Sequence, residues 1–485
     1  MKNLKSLLNC NLKSEKARRN FYYFCQTIAP DFYRDDRPHL KTICDTLQAL
    51  HEGRLTREDG FVYKKLMLNV PPQHGKSRTL VNFVTWCFGK NPNEKVITGS
   101  YNDSTASDFS RYTRDAIDAK AIVNDDIVYS DIFPKTKIKK GNAGFEKWAL
   151  EGSHFSYLGV GIGGSVTSKG GSILIVDDPV KNAEDALNEN NLERIWLWYT
   201  STFQSRVSAE SGEPLEIVCM TPWSKNDICG KILAGKNAND WYRISMPAYD
   251  VTTDTMLCES LFGKKRYFDL KELIEPGIFN ANYQMTPLDK SGVLFKRDEL
   301  NTFSMSEFSK DGAESILGYI DVMDDGNDSL SFALGYVFKD KVFITDVVFT
   351  NDNIDITLPL CVGLIKQQDV YDDKKVLKQS FDYIRVEANN QGGGFIRLLR
   401  QHLPPEKILP VKNTQNKNTR VIMQYGFIKK HFYFRNDYER NSPYAKFMDE
   451  LYGYMKDGSS KHDDAPDSIA GLSKFVQGLL PHLFV

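Results

Sequence analysis

The stretch Val70-Pro71-Pro72-Gln73-His74-Gly75-Lys76-Ser77 decides the fold of the N-terminal half of the chain. It follows a short apolar run, Leu66 to Val70, that is typical of a buried strand, and it precedes a predicted helix over Arg78 to Phe88. A glycine, a lysine and a hydroxyl group between a strand and a helix are what a phosphate loop uses to hold phosphates and magnesium. The N-terminus of the helix adds a partial positive charge at the same place.

This loop is an unusual one, because Val70 stands where such loops normally have their first glycine. The tripeptide Gly75-Lys76-Ser77 is weak support by itself, and a second run, Ile173-Leu174-Ile175-Val176-Asp177-Asp178, strengthens it. Apolar residues that end in an acid place a carboxylate at the C-terminal end of a buried parallel strand. We expect Asp177 to hold magnesium through water and Asp178 to orient the attacking water, with Glu184 as a second candidate.

A third strand candidate, Ile217 to Met220, leads into Thr221. A threonine at that position can sense the γ-phosphate and couple its presence to the rest of the domain. Taken alone, Thr221 is explained equally well as a strand-end cap.

Acidic residues at the edges of predicted elements indicate a second site in the C-terminal half. They are Asp321 after a buried strand, Glu387 at the end of a later strand, and the pair Asp463-Asp464 before the closing helix. An acid in a buried strand is costly unless it is paired or binds metal. Converging carboxylates are what two-metal phosphodiester cleavage requires, and hard oxygen ligands favour magnesium or manganese. Asp464 alone is also a suitable helix cap.

Three neighbouring acids are predicted to form a polar turn instead, although one could be an outer ligand: Asp324, Asp325 and Asp328.

The length of 485 residues predicts more than one domain. Alternating strands and helices after an N-terminal helical segment predict an α/β fold for residues 1–250, with a mostly parallel sheet of the phosphate-loop ATPase type. Charged, turn-rich residues 251–310 are predicted to be a linker region. Residues 311–485 begin with three consecutive strands and continue with alternating helices and strands, the order of an RNase H-like nuclease domain.

Composition narrows the class of protein. A charged fraction of 26% and a hydrophobic fraction of 41% are those of a globular protein, and no apolar stretch predicts a membrane span. The eight cysteines are dispersed without a zinc-binding spacing. Basic runs at residues 135–140 and 412–420 could follow a phosphate backbone, but a solvated surface explains each of them better.

The ordered set of motifs resembles the large terminase subunits of tailed bacteriophages. The motifs are Pro-Pro-x-His-Gly-Lys-Ser at 71–77, Ile-Val-Asp-Asp-Pro-Val-Lys-Asn at 175–182, Met-Thr-Pro-Trp at 220–223 followed by Asp227, Val-Glu-Ala-Asn-Asn at 386–390, and His-Asp-Asp-Ala-Pro-Asp at 462–467. The resemblance extends over nearly the whole chain. Two departures are Gln73, where many relatives have arginine, and Pro222, where many have the arginine of Thr-Arg-Trp.

The resemblance implies a role for each site. The residues it assigns to ATP are Gln73, His74, Gly75, Lys76, Ser77, Arg78 and Asp177. Ser77 and Asp177 would also contact Mg²⁺, Lys76 and Asp178 would be catalytic, and Thr221 would couple hydrolysis to movement. At the nuclease site Asp321, Glu387 and Asp464 would be catalytic, and with Asp463 they would bind Mg²⁺ or Mn²⁺. The arginine finger stays open among Arg111, Arg114, Arg194 and Arg206.

It also implies a motor that moves double-stranded DNA into a capsid and an endonuclease that cuts concatemeric DNA. The partners would be the portal protein of the procapsid, a small terminase subunit and further copies of the chain in a ring, without a membrane, in the host cytoplasm. An ATP-regulated defence or recombination nuclease is the alternative enzyme, and a capsid-assembly factor is the alternative without catalysis.

Overall fold

The computed structural model describes residues 4–121, 126–164, 170–206, 213–288, 292–322, 329–371, 377–389 and 392–484. The chain divides into two compact units, Met1–Phe268 with Gly277–Leu288, and Asp269–Pro276 with Asp289–Val485. The predicted turn acids Asp324, Asp325 and Asp328, and Asn390 of the Val-Glu-Ala-Asn-Asn motif, lie outside the described residues.

Most of the strands of the first unit form one large sheet. In chain order they are β1 (Lys65–Asn69), β2 (Val96–Ser100), β3 (Ile138–Ala143), β4 (Lys147–Leu150), β5 (Tyr157–Gly161), β6 (Ile173–Asp177), β7 (Leu215–Cys219) and β8 (Trp241–Ser245). The sheet order is β3-β4-β5-β2-β6-β7-β1-β8. The pairings from β5 to β8 are parallel, and β3 and β4 form an antiparallel edge. A short antiparallel pair follows, β9 (Tyr249–Asp250) with β10 (Thr255–Met256).

Helices cover this sheet and complete its core. They are α1 (Leu4–Arg19), α2 (Phe21–Ile28), α3 (Pro38–His51), α4 (Lys76–Lys90), α5 (Asp103–Ile117), α6 (Tyr129–Ile132), α7 (Ala183–Leu187), α8 (Glu189–Leu197) and α9 (Ile228–Ala234). A π-helical turn, Trp198–Phe203, continues α8. The strands β6 and β7 are buried along their whole length, which is characteristic of a parallel sheet with both faces covered.

The strand order places the two motifs of the first half in register. Strand β7 lies between β1, which leads into the phosphate loop, and β6, which ends in Asp177. Because parallel strands end at the same edge, all three strands bring their C-terminal residues to one side of the sheet.

The second unit is built on a mixed sheet. Its strands are β11 (Asn301–Phe303), β12 (Ser315–Asp321), β13 (Leu330–Phe338), β14 (Lys341–Thr350), β17 (Tyr383–Glu387), β18 (Ile408–Val411) and β19 (Phe432–Arg435), in the order β11-β19-β14-β13-β12-β17-β18. Strands β12, β13 and β14 are antiparallel, whereas β17 and β18 continue parallel to β12. A short pair, β15 (Val370–Tyr371) and β16 (Leu377–Gln379), lies apart from this sheet.

The helices of the second unit are α12 (Ile354–Lys366), α13 (Gly392–His402), α14 (Lys417–His431), α15 (Pro443–Gly453) and α16 (Asp464–Leu479). Three consecutive strands followed by alternating helices and strands is the predicted RNase H-like order. The α/β class of both halves, with a mostly parallel sheet in the first, is confirmed.

Residues 251–310, expected as a linker region, contain regular structure. Helix α10 (Lys264–Leu273) and helix α11 (Pro276–Gln284) lie there, and residues of this region belong to both compact units. The sequence of α10 is rich in charged residues, and Tyr267 is its buried side chain, so the helix has little apolar pattern. For this reason it is not apparent from the sequence. Among the described residues, none of the helices combines the length and the apolarity that crossing a lipid bilayer requires.

Candidate functional sites

The phosphate loop joins β1 to α4, as the sequence predicts. Gly75 precedes the helix with a φ of 84°, a left-handed conformation that glycine adopts without a steric penalty. A Cβ atom there would lie 2.7 Å from the ring of Phe32 and 3.0 Å from a methyl group of Leu40. Conformation and packing therefore both require glycine. Helix α4 begins at Lys76, so the free N–H groups of its first turn lie at the loop.

Lys76 and Asp178 form an ion pair in which Nζ lies 2.9 Å from Oδ2. Burial lowers the pKa of Lys76, but Asp178, Cys219 and Asp177 together outweigh burial, and the pKa of the lysine is raised. Asp178 has a φ of 43°, so the chain turns sharply just after β6. The turn directs Asp178 to the lysine of the loop.

Asp177, the last residue of β6, has an environment suited to a cation. Burial, and then the charge of Asp178, raise the pKa of Asp177 to about 7, while a hydrogen bond with the Ser77 side chain acts in the opposite direction. Its Oδ1 atom is buried and has no hydrogen-bond partner among the described residues. A buried, unpartnered carboxylate oxygen next to the Ser77 hydroxyl fits Mg²⁺, which prefers hard oxygen ligands.

The other residues that the family resemblance assigns to ATP binding differ in their burial and in their contacts. Gln73 is exposed and left-handed with a φ of 63°, and His74 is fully buried. The Arg78 guanidinium stacks on the Phe32 ring at 4.4 Å. Thr221 is buried two residues beyond β7. A cleft of about 560 Å³ adjoins the loop, and its lining includes Ser77, Arg78, Val81, Tyr112 and Asp177.

Each of the four candidate arginine fingers contacts a residue that is close to it in the sequence. Arg111 pairs with Asp108, Arg114 with Asp115, and Arg194 donates to Asn191. Arg206 donates to the carbonyl of Thr202. These contacts do not favour one arginine over another.

The acids of the second half converge at one end of the mixed sheet. Asp321 ends β12 and Glu387 ends the adjacent parallel strand β17. Helix α16 packs on β12 and brings Asp464 and Asp467 to the same place. All four side chains are buried.

The tightest group of three acids is Asp321, Glu387 and Asp467, each with a ligand atom within 4.8 Å of the others. Asp467 belongs to the motif at 462–467, but the sequence pattern alone did not indicate it as a metal ligand. Asp464 lines the same cleft of about 200 Å³. One of its oxygens accepts the Ser329 N–H at 2.8 Å. Asp463 is more exposed and pairs with Lys417 at 2.7 Å.

Two cations of helix α14 face these acids. Lys417 Nζ lies 2.7 to 3.8 Å from carboxylate oxygens of four aspartates: Asp321, Asp463, Asp464 and Asp467. Arg420, one helical turn later, is buried and binds Asp467 through two nitrogens, with Nε to Oδ1 at 2.7 Å. Both belong to the basic run at 412–420, whose solvated-surface interpretation therefore does not hold for these two side chains.

Glu387 is held by neutral donors. Asn389 Nδ2 donates to Oε1 at 2.6 Å, and Asn413 Nδ2 donates to Oε2 at 3.0 Å. The Tyr319 hydroxyl donates to the same Oε2 at 3.3 Å. These contacts fix the orientation of the carboxylate, as supporting hydrogen bonds do in metal sites.

The electrostatics of the acid cluster fit a divalent cation. Burial, followed by the charge of Asp467, raises the pKa of Asp321 well above its usual value, and burial also raises that of Asp467. Oδ2 of Asp321 has no hydrogen-bond partner in the described part of the chain. Closely spaced, desolvated carboxylates are stabilised in their charged form by a bound cation. The donor set consists of oxygen atoms, which suits Mg²⁺ or Mn²⁺.

No family model and no curated protein matches the chain. The large terminase of a thermophilic bacteriophage is 12% identical, and the match covers 92% of this chain and 99% of that one with a TM-score of 0.48. The large terminase of bacteriophage HK97 is 8% identical over 87% and 94% of the two chains, with a TM-score of 0.35.

The nuclease domain of the human cytomegalovirus terminase is 12% identical, covering 38% of this chain and 95% of that one, with a TM-score of 0.28. The two matches to bacteriophage large terminases extend over most of this chain.

Proposed function

We propose that this chain is the large subunit of a bacteriophage terminase, which hydrolyses ATP to move double-stranded DNA into a capsid and cuts that DNA with bound metal. The observation that carries the proposal is the presence of two sites in one chain. One is the Lys76–Asp178 pair beside Asp177 at a phosphate loop, and the other is the cluster of Asp321, Glu387 and Asp467.

At the first site, Lys76 and the amide groups of the loop bind the β- and γ-phosphates of ATP. Ser77 and Asp177 hold Mg²⁺, which neutralises phosphate charge when bound. A triphosphate attracts Lys76 and competes with Asp178 for it. Asp178, once released, can accept a hydrogen bond from the attacking water and orient it. Thr221 follows β7, the strand that lies between β1 and β6 in the sheet. It couples the presence of the γ-phosphate to the rest of the unit.

At the second site, Asp321, Glu387 and Asp467 would hold Mg²⁺ or Mn²⁺, with Asp464 and Asp463 beside them. A divalent cation held there would supply polarisation of the scissile phosphate and activation of the attacking water. Lys417 and Arg420 balance the charge of the acids and keep the carboxylates together. Asn389, Asn413 and Tyr319 fix the direction of Glu387.

The partners follow from the resemblance to the terminase family. They are double-stranded DNA, the portal protein of the procapsid, a small terminase subunit and further copies of this chain in a ring. The place of action is the host cytoplasm, with docking at the portal vertex during packaging.

The proposal is tested with the full chain and two separate assays. Lys76→Ala should abolish ATP turnover and leave metal-dependent cleavage of plasmid DNA, whereas Asp321→Asn should do the reverse. Lys90→Ala, on the same helix as Lys76, and Asp346→Asn, a half-buried acid of the second unit, are matched controls. ATP turnover that persists in Lys76→Ala, or cleavage that persists in Asp321→Asn, rejects the corresponding site.

An ATP-regulated defence or recombination nuclease differs from a packaging motor in how it uses ATP. A motor shows steady, DNA-stimulated ATP turnover together with directional movement along DNA. Cleavage that needs only ATP binding, without movement, would favour the regulated nuclease.

A further inference from the structure

Two buried histidines lie behind the phosphate loop. His74 belongs to the loop, and His39 is the second residue of helix α3. They are 0% and 3% exposed, and their ring centroids are 5.7 Å apart. Neither ring lines the cleft beside Ser77 and Asp177. Their hydrogen bonds are with the backbone of the loop.

Each histidine bonds a different carbonyl group of the loop. His39 Nε2 lies 3.1 Å from the carbonyl oxygen of His74, and His74 Nδ1 lies 2.9 Å from that of Pro72. A carbonyl oxygen only accepts, so the bonded nitrogen of each ring carries the proton. The opposite nitrogens, His39 Nδ1 and His74 Nε2, are buried without a partner among the described residues. Burial lowers the pKa of both rings, which keeps them neutral.

These bonds determine where two N–H groups of the loop point. In a planar trans peptide group the C=O and N–H bonds point in opposite directions. A bond that holds the His74 carbonyl toward His39 therefore directs the Gly75 N–H away from His39. In the same way, the bond to the Pro72 carbonyl fixes the direction of the Gln73 N–H. Neither N–H donates a backbone hydrogen bond in the part of the chain that the structure describes.

The loop needs these hydrogen bonds because its own backbone conformation is strained. Gln73 and Gly75 are both left-handed, and for the non-glycine residue this costs about 1 kcal/mol. A strained turn persists only where the surroundings hold it. Phe32 and Leu40, which lie on either side of His39 in the sequence, pack against Gly75.

We propose that His39 and His74 are positioning residues that lock two peptide groups of the phosphate loop, so that the N–H groups of Gln73 and Gly75 face the phosphates of the nucleotide. This assignment rests on the proposed binding of ATP at the loop. It makes His39, which lies 35 residues from His74 in sequence, a residue that orients the loop without touching the nucleotide.

The test exploits the fact that the two rings use different nitrogens. The side-chain amide nitrogen of glutamine can replace Nε2 of histidine, and that of asparagine can replace Nδ1. We therefore expect opposite patterns at the two positions. His39→Asn and His74→Gln should weaken the affinity for a fluorescent (mant-labelled) ATP with magnesium by about fivefold to tenfold, because a hydrogen bond is lost. His39→Gln and His74→Asn should stay within about twofold of the unmodified chain.

Thermal unfolding of the four variants without nucleotide separates positioning from packing. A packing role lowers the melting temperature in all four and gives affinities unrelated to the nitrogen that is replaced, which would overturn the proposal. Equal affinity of His39→Asn and the unmodified chain would overturn it as well. Where one variant does not fold, the Asn/Gln pair at the other histidine decides. An unmodified chain that does not bind the probe rejects the proposed ATP site itself.

Discussion

The Nζ atom of Lys76 lies 2.9 Å from Oδ2 of Asp178, so the loop lysine and the acid after β6 are each other's partner. We propose these two residues for opposite tasks, phosphate binding and orientation of the attacking water. Their pairing means that phosphate binding and release of the acid are linked, since one cation cannot be shared closely by both.

Asp178→Asn should separate binding of ATP from its hydrolysis. Without the carboxylate, Lys76 is free for the phosphates and a negative charge near them is removed, so ATP affinity should not fall. Turnover should decrease by about 100-fold or more, because the group that orients water is lost. Titration with mant-labelled ATP and steady-state phosphate release measure the two effects.

Glu184→Gln is the matched comparison, because Glu184 is the second candidate for the catalytic acid. We expect this variant to keep its turnover. If Glu184→Gln abolishes hydrolysis while Asp178→Asn remains active, Glu184 takes the role and the function proposed for Asp178 is wrong.

The acids of α16 should differ in their importance for metal binding. Asp467 lies in the tight group with Asp321 and Glu387, whereas Asp463 has a side chain that is 37% exposed and pairs with Lys417. Asp467→Asn and Asp321→Asn should therefore each weaken Mn²⁺ binding by at least about tenfold, the loss that removal of a supporting partner already causes. Asp463→Asn should have the smallest effect. Calorimetric titration with MnCl₂ measures the order.

Asp464→Asn tests whether Asp464, and not Asp467, is the third metal ligand. Unchanged Mn²⁺ affinity in Asp467→Asn together with a large loss in Asp464→Asn would make Asp464 the third ligand. Asp467 would then serve only to hold Arg420.

Two glycines of α16 should respond in opposite directions to alanine. A Cβ at Gly471 would lie 2.3 Å from the ring of Tyr319, whereas nothing lies within 4 Å of a Cβ at Gly478. Gly471→Ala should destabilise the second unit by about 1–3 kcal/mol through overpacking. Gly478→Ala should stabilise it by up to about 1 kcal/mol, because alanine favours a helix more than glycine does. Urea unfolding followed by circular dichroism gives both values.

The Gly471→Ala change also displaces the Tyr319 hydroxyl from Glu387. Cleavage activity should therefore fall in this variant more than in Gly478→Ala. Equal stabilities of the two variants would contradict the packing described for Tyr319.

His39 should make the first unit sensitive to acid. Burial lowers the pKa of His39 from 6.5 to about 4, with smaller effects of His74 and Arg37 in the same direction, although its hydrogen bond to the His74 carbonyl acts in the opposite direction. Between these values the unfolded chain binds a proton that the folded chain does not, so stability falls as the pH decreases from 6.5 to 4. His39→Gln removes this contribution.

Melting temperatures of the two proteins across that range are the measurement. The variant should gain stability relative to the unmodified chain as the pH decreases. A difference in melting temperature that stays constant from pH 6.5 to 4 would show that His39 does not titrate between these values.

The local sequence is sufficient to predict those features that a few neighbouring residues reveal. The phosphate loop, Asp177 at the end of β6 and the acids Asp321 and Glu387 each lie where a strand ends, and an apolar run followed by a polar residue reveals such ends. The succession of three strands and then alternating helices and strands followed from the same runs.

The remaining features depend on contacts between distant residues. Asp467 follows Asp464 by three residues, so a helix that begins at Asp464 places both side chains on one face. The spacing could have indicated Asp467 as a ligand, but only if the first residue of the helix had been known. Lys417 and Arg420 looked like part of a basic surface, because nothing in their own segment shows that buried acids face them. The bond from His39 to the His74 carbonyl has no local signature either.

The decisive measurement is anomalous diffraction from crystals of the full chain soaked in MnCl₂ and an ATP analogue. We expect a manganese peak within coordination distance of Asp321, Glu387 and Asp467, and nucleotide phosphates at Lys76 and Ser77. Manganese bound elsewhere with none among these three acids, or a nucleotide away from the loop, would contradict the proposed pair of sites.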